Sequence, residues 1–195
     1  MTPAVFLDRD GTMIYDVGYL RRVEEIRWFP WTIDAIRLLN RAGYLVCVTT
    51  NQSGIARGYY TERDLAVVHR AMDDTLGQAG ARVDAWFHCP HHPDGTVAEF
   101  RRACECRKPG PGMIRQAEAN FRIDTARSVV IGDKLLDVES GVAAGARGAL
   151  VRTGYGAEVE RAHGGQVPHA AFVADTLMEA VTWFLRTQGH PKGQA

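Results

Sequence analysis

Six short runs along the chain are apolar almost without interruption. They are PAVFLD from Pro3, YLVCVTT from Tyr44, VDAWFHC from Val83, ARSVVIGD from Ala126, GALVRTG from Gly148 and, with more breaks, AAFVAD from Ala170. Runs of four to eight residues rich in Val, Ile and Phe predict strands, and their lack of polar alternation predicts strands covered on both faces. Between them the apolar residues fall at helical spacing. WTIDAIRLLNRAG ends at Gly43, TERDLAVVHRAMDDTLGQAG opens at Thr61 with Asp64 three residues on, and PGPGMIRQAEANF begins at Pro109. LLDVESGVAAG and TLMEAVTWFLRTQ predict two more helices. Strands alternating with amphipathic helices predict an α/β fold, a doubly wound parallel sheet with right-handed crossovers. One domain over residues 1–188 is expected, with QGHPKGQA closing the chain as a flexible tail over 189–195.

In a sheet of this kind ligands bind beyond the carboxyl ends of the strands. Asp8 and Asp10 end the first predicted strand, Thr50 and Asn51 the second, and Asp133 the VVIGD strand, while CRKP at 106–109 precedes a helix. Chain order thus brings several carboxylates, a threonine and Lys108 to one rim. Carboxylates gathered in a partly dehydrated site repel one another, and a hard divalent cation is the natural compensation, magnesium above all. Lys108 and Thr50 would then meet a phosphoryl group on that cation. Asp8 is placed to act as a nucleophile that forms an acyl phosphate, and Asp10 to protonate the leaving oxygen and later deprotonate water. Taken singly, Thr50 and Asp137 read as ordinary turn or capping residues, because such residues after a strand usually are.

Composition narrows the partners. The 195 residues carry 23 Lys and Arg against 23 Asp and Glu, so no global field attracts nucleic acid or an anionic membrane. No stretch approaches the roughly 20 apolar residues of a membrane span, and a soluble, cytoplasmic monomer acting on a small molecule is expected. Of four cysteines, Cys47 stands alone in an apolar run and reads as a small core residue. Cys89, Cys104 and Cys106 cluster with His91 and His92, and short C-x-H and C-x-C pairs separated by twelve residues read as a closed structural zinc site of Cys₃His composition. His91 and His92 compete for its fourth position.

FLDRDGT resembles the first motif of the haloacid dehalogenase-like (HAD) phosphatases, VTTNQSGIARG their second, CRKP their third-motif lysine, and IGDKLLDVESG their fourth. With CPHHPDG and CECRKPGPGM added, the chain is similar to the group of that superfamily that holds heptose-bisphosphate and histidinol-phosphate phosphatases. The resemblance runs from about Ala4 to Gly154. It implies a Rossmann-like core without a large cap domain, since the stretch from Thr12 to Trp28 is too short for one. It implies Asp8 as nucleophile, Asp10 as acid and base, and Thr50 and Lys108 steadying the phosphoryl group. Asp8, Asp133 and the Asp10 backbone carbonyl would hold magnesium, and Cys89, His91, Cys104 and Cys106 zinc, which settles the choice of histidine. Asp16, Gly18, Tyr19, Asn51, Gln52, Ser53, Arg107 and Lys134 would meet the substrate, with Val17 where the group usually has His. The implied reaction is removal of the 7-phosphate of a heptose 1,7-bisphosphate on the way to nucleotide-activated heptose. Histidinol phosphate is the alternative substrate, a nucleic-acid end-phosphatase a more distant one, and a zinc-stabilised binding module without catalysis the reading from another class.

Overall fold

The structure is a computed structural model that describes residues 1–188; the expected flexible tail over 189–195 lies outside them. All six apolar runs are strands: β1 (Ala4–Leu7), β2 (Leu45–Asn51), β3 (Ala85–Cys89), β4 (Val129–Gly132), β5 (Arg147–Val151) and β6 (Ala170–Ala174). They form one parallel sheet in the order β3-β2-β1-β4-β5-β6. The chain leaves β1 to build one half of the sheet through β2 and β3, then returns to β4 on the other side of β1. The switch point therefore lies between β1 and β4, where a ligand crevice opens at the carboxyl ends.

The unbroken apolar runs are explained by burial on both faces. Val5 and Leu7 of β1 point into one core layer and Ala4 and Phe6 into the other, as alternate residues of a strand must. The first layer is covered by α1 (Thr32–Arg41), α2 (Glu62–Gln78) and α6 (Leu177–Thr187), whose Ile36, Leu39, Val68, Met72, Leu76, Val181 and Phe184 are almost wholly buried. The second is covered by α3 (Gly112–Asn120) through Met113, Ile114 and Ala117, and by α4 (Leu135–Ala144) through Ala144, while Val138 of α4 packs with Leu150 and Val167 in a smaller cluster. Cys47 lies in this second layer with no accessible surface, the core residue expected. The start of α2 is the capping box written in the sequence: Asp64 N–H donates to Thr61 Oγ1 (3.2 Å) and Thr61 N–H to Asp64 Oδ2 (2.8 Å).

A seven-residue helix, α5 (Gly156–Ala162), was not predicted. Its GAEVERA sequence is short and carries one branched apolar residue, so it has no periodicity to read. No domain is inserted between β1 and α1, where a turn of 3₁₀ helix at Val23–Glu25 is the one regular element, nor between α2 and β3, which Ala79–Asp84 join. The crevice above β1 and β4 is left uncapped.

Candidate active site

Asp8 follows β1 directly and its N–H donates to Ile131 O of β4 (2.9 Å), which ties the residue to the switch point. Asp8 is 6% exposed and Asp133, after β4, is 0% exposed; burying two such groups side by side requires compensation. Lys108 supplies part of it. Its ammonium donates to Asp8 Oδ1 (2.6 Å) and Thr49 O (2.8 Å) and forms an ion pair with Asp137 Oδ1 (2.5 Å). Burial opposes the Lys108 charge, yet Asp137 and Asp8 outweigh it and hold its pKa above the ordinary lysine value. The Lys108 backbone is clamped in turn: its N–H donates to Asn51 Oδ1 (3.1 Å), and Asn51 Nδ2 donates to its carbonyl (3.2 Å).

The carboxylates outnumber the lysine. Burial is the largest cause that lifts the Asp8 carboxyl to about 7, Lys108 opposing it and Asp137 and Asp10 adding to it. Burial likewise lifts Asp133 to about 8, with Asp8 and Asp137 contributing and Lys134 and the Tyr155 N–H pulling back. Asp8, Asp133 and Asp137 each present an oxygen, and these oxygens lie within 4.8 Å of one another. Asp133 Oδ2 accepts Tyr155 N–H (2.9 Å), but its Oδ1 is buried without a partner. Gly11 and Gly154, both with positive φ, press against this carboxylate so closely that a Cβ on either would stand 2.3 or 2.2 Å from Asp133 Oδ2. An all-oxygen donor set in which Asp133 Oδ1 and Asp137 Oδ1 lack hydrogen-bond partners fits a hard divalent cation. The Asp10 side chain is outside that set, held instead by Arg9 and Gln52.

Asp137, read as a capping residue in the sequence, does cap α4, accepting Lys134 N–H on Oδ2 (3.0 Å), but it also belongs to the buried charge cluster. Arg9 was missed too: it is 1% exposed and bonds Asp10, Gln52 and His69. Thr50 Oγ1 and Asp10 Oδ2 both accept from Gln52 Nε2 (2.8 and 3.0 Å), and Gln52 Oε1 accepts from Arg9 Nη2 (3.2 Å) and Tyr60 Oη (2.5 Å). Asn51 and Gln52, expected to meet substrate, thus have their side-chain atoms engaged within the protein while still bordering the crevice.

That crevice is a cleft of about 400 Å³ lined by Asp8, Asp10, Thr50 and Lys108. Asp16, Gly18 and Tyr19 form one wall and Arg107 and Ser53 border it from the side of β2 and the cysteine loop; Lys134, Asp137 and Tyr155 come from the opposite half. Asp16 Oδ1 closes a turn by accepting Gly18 N–H (2.7 Å), and its Oδ2 lies 3.5 Å from Lys134 Nζ. Asp133 lies beneath the floor. Of the neighbouring arginines, Arg107 alone reaches the cleft; Arg101 and Arg102 do not line it.

At the edge of the cleft the three loop cysteines meet. Their sulfurs are 3.2–3.5 Å apart, and His91 Nδ1 lies 3.4 Å from Cys106 Sγ and 3.8 Å from Cys89 Sγ. Zinc–sulfur bonds of about 2.3 Å imply tetrahedron edges of about 3.8 Å, so these four atoms can enclose such an ion with little movement. His92 stands apart, with its Nδ1 accepting Asp94 N–H (3.1 Å). Arg102 Nη2 approaches His91 Nε2 (2.7 Å), a contact open only to the tautomer with its proton on Nδ1; a metal there moves the proton to Nε2 and releases Arg102. Arg107 Nη1 donates to His91 O (3.3 Å), which joins the loop to the cleft wall.

Residues 105–180 match the HAD-hydrolase-like family model. The D-glycero-beta-D-manno-heptose-1,7-bisphosphate 7-phosphatase of Rhodopseudomonas palustris is 51% identical over 146 residues, 75% of this chain and 81% of that protein. The Escherichia coli K12 protein of the same name is 46% identical over 78% of this chain and 80% of its own. The D,D-heptose 1,7-bisphosphate phosphatase of B. bronchiseptica, solved with magnesium and phosphate, superposes with a TM-score of 0.84 at 34% identity, covering 95% of this chain and 99% of that one. Sequence identity of this order along four-fifths of the relatives, and a fold shared over nearly the whole chain, make this protein a member of the heptose-bisphosphate phosphatase family of HAD-like hydrolases.

Proposed function

We propose that this protein is a magnesium-dependent phosphatase that releases the 7-phosphate of D-glycero-D-manno-heptose 1,7-bisphosphate, as one cytoplasmic, monomeric unit over residues 1–188. The observation that carries the reading is the convergence of Asp8, Thr50, Lys108 and the Asp133–Asp137 pair on one uncapped cleft, in a chain whose relatives bear that activity in their names. Asp8, Asp133 and the Asp10 backbone carbonyl would hold magnesium, which offsets the charge of the gathered carboxylates and of the incoming phosphate.

Asp8 attacks phosphorus through a carboxylate oxygen, forming the new P–O bond as the bond to the C7 oxygen breaks. Asp10 gives its proton to that departing oxygen, so the sugar leaves as an alcohol. In the second half Asp10, now a carboxylate, takes a proton from water as its oxygen attacks the aspartyl phosphate, returning Asp8 and inorganic phosphate. Lys108 and Thr50 contact the phosphoryl oxygens, and Lys108 opposes the protonation that burial favours at Asp8. Asp16, Tyr19 and Lys134 face the sugar and Arg107 the anomeric phosphate. Zinc at Cys89, His91, Cys104 and Cys106 takes no part in the chemistry and fixes the wall that carries Arg107. The product suits the supply of activated heptose for surface polysaccharide. The test compares kcat/KM for heptose 1,7-bisphosphate, fructose 1,6-bisphosphate and histidinol phosphate. A preference for the heptose is expected, and a win for histidinol phosphate overturns the assignment.

A further inference from the structure

Arg9 is an arginine with almost no accessible surface, and its guanidinium is occupied on every side. Nε and Nη2 grip both oxygens of the Asp10 carboxylate at 2.9–3.2 Å, Nη2 also donates to Gln52 Oε1, and Nη1 meets His69 Nε2 at 3.1 Å. His69 comes from α2, and its ring stacks on Trp86 of β3 with centroids 4.3 Å apart. Burial, then Arg9 and His88, push the His69 pKa down to about 2, so the ring stays neutral and accepts from the guanidinium. Gln52 adds a donor to Asp10 Oδ2 and is itself held by Tyr60. The Asp10 side chain is thus seated by a layered frame that runs back to the sheet.

We infer that Arg9 is the positioning residue for the Asp10 proton donor: its buried guanidinium, braced from behind by His69, fixes the carboxyl group where the leaving oxygen departs. The inference deepens the proposed function and rests on Asp10 as its acid. Two N–H donors that each reach both oxygens anchor the carboxyl group through four contacts, which a lysine ammonium cannot reproduce. Asp10, so held, still lines the cleft. In an uncapped enzyme no lid arrives to complete this alignment, so it has to be built into the core.

The test uses the dependence on the leaving group. An alkoxide departs only with its proton, whereas 4-nitrophenolate departs without one, and kcat/KM reports the steps through the first chemical event. Arg9→Lys, Arg9→Met and His69→Leu are compared with wild type on heptose 1,7-bisphosphate and on 4-nitrophenyl phosphate, beside Asp10→Asn. Arg9→Lys should lose about 10²-fold on the sugar ester and less than about 10-fold on the aryl ester, in the range of a lost general acid. His69→Leu, which keeps both Arg9 and Asp10, should show the same selective loss in smaller measure and serves if the Arg9 variants do not fold. Equal losses on the two esters in the folded variants, with Asp10→Asn still selective, overturn the role of Arg9. An Asp10→Asn variant without that selectivity overturns the acid itself, and this inference with it.

Discussion

Lys108 is held by the Thr49 carbonyl and by two carboxylates from opposite sides of the switch point. Removing one partner of a buried charge pair is destabilising, because the other charge is left uncompensated. Asp137→Asn keeps the shape of the side chain and removes its charge, so Lys108 tilts toward Asp8. The variant should remain folded, lose kcat/KM by at least about 10-fold, in line with the loss of an electrostatic group near the reacting centre, and need more magnesium for half-maximal rate. Steady-state rates across a magnesium titration check it. The sequence marks Asp8, Asp10 and Lys108 through their motifs, but Asp137 and Arg9 only have meaning once folded. A carboxylate three residues into a helix looks like a cap, which Asp137 also is, and an arginine between two aspartates looks solvated. What identifies both is burial against partners up to 60 residues away, as His69 is from Arg9.

Strands and helices were legible because burial on both faces of the sheet leaves continuous apolar runs, and because Thr61 and Asp64 announce the start of α2. Replacing Thr61 by Ala removes an acceptor at the helix start and should lower stability by about 1 kcal/mol, with kcat/KM unchanged; urea unfolding checks the first and the assay the second. α5 escaped because seven residues with a glycine at their head display no stripe. The cysteine loop shows the reverse case: it has little apolar content, yet four chemically specific residues gave its position. Cys104→Ser with Cys106→Ser should lose the zinc, which metal analysis reads. The melting temperature should fall, and KM should rise more than kcat falls, because Arg107 borders the cleft from that loop. Full retention of zinc in the double variant contradicts the ligand set.

For the whole molecule, the gathered carboxylates link stability to pH and metal. Without a cation Asp8 and Asp133 hold their protons to about 7 and about 8, while the unfolded chain releases them near the ordinary carboxylate value of 3.8. Raised folded pKa values stabilise the protein fully below the unfolded value, and that contribution disappears as pH rises through 7 and 8. Magnesium needs the ionised groups and competes with those protons, so its stabilisation grows over the same window. The increase in melting temperature on adding magnesium should therefore be larger at pH 8.5 than at pH 6, and an equal increase at both contradicts the assigned cluster. The doubly wound sheet was readable from the alternation of runs, whereas the adjacency of β1 and β4 that creates this cluster came only with the strand order. The depth at which Asp133 lies below the cleft was not, because it depends on the close approach of Gly11 and Gly154 to its carboxylate.

The proposed reaction removes the primary phosphate of a heptose bisphosphate through Asp8 and its partners. Phosphorus NMR of D-glycero-D-manno-heptose 1,7-bisphosphate during turnover separates the two esters. The C7 resonance should disappear into inorganic phosphate while the anomeric resonance persists, and Asp8→Asn should leave both in place. Release of the anomeric phosphate, or near-normal turnover by Asp8→Asn, contradicts it.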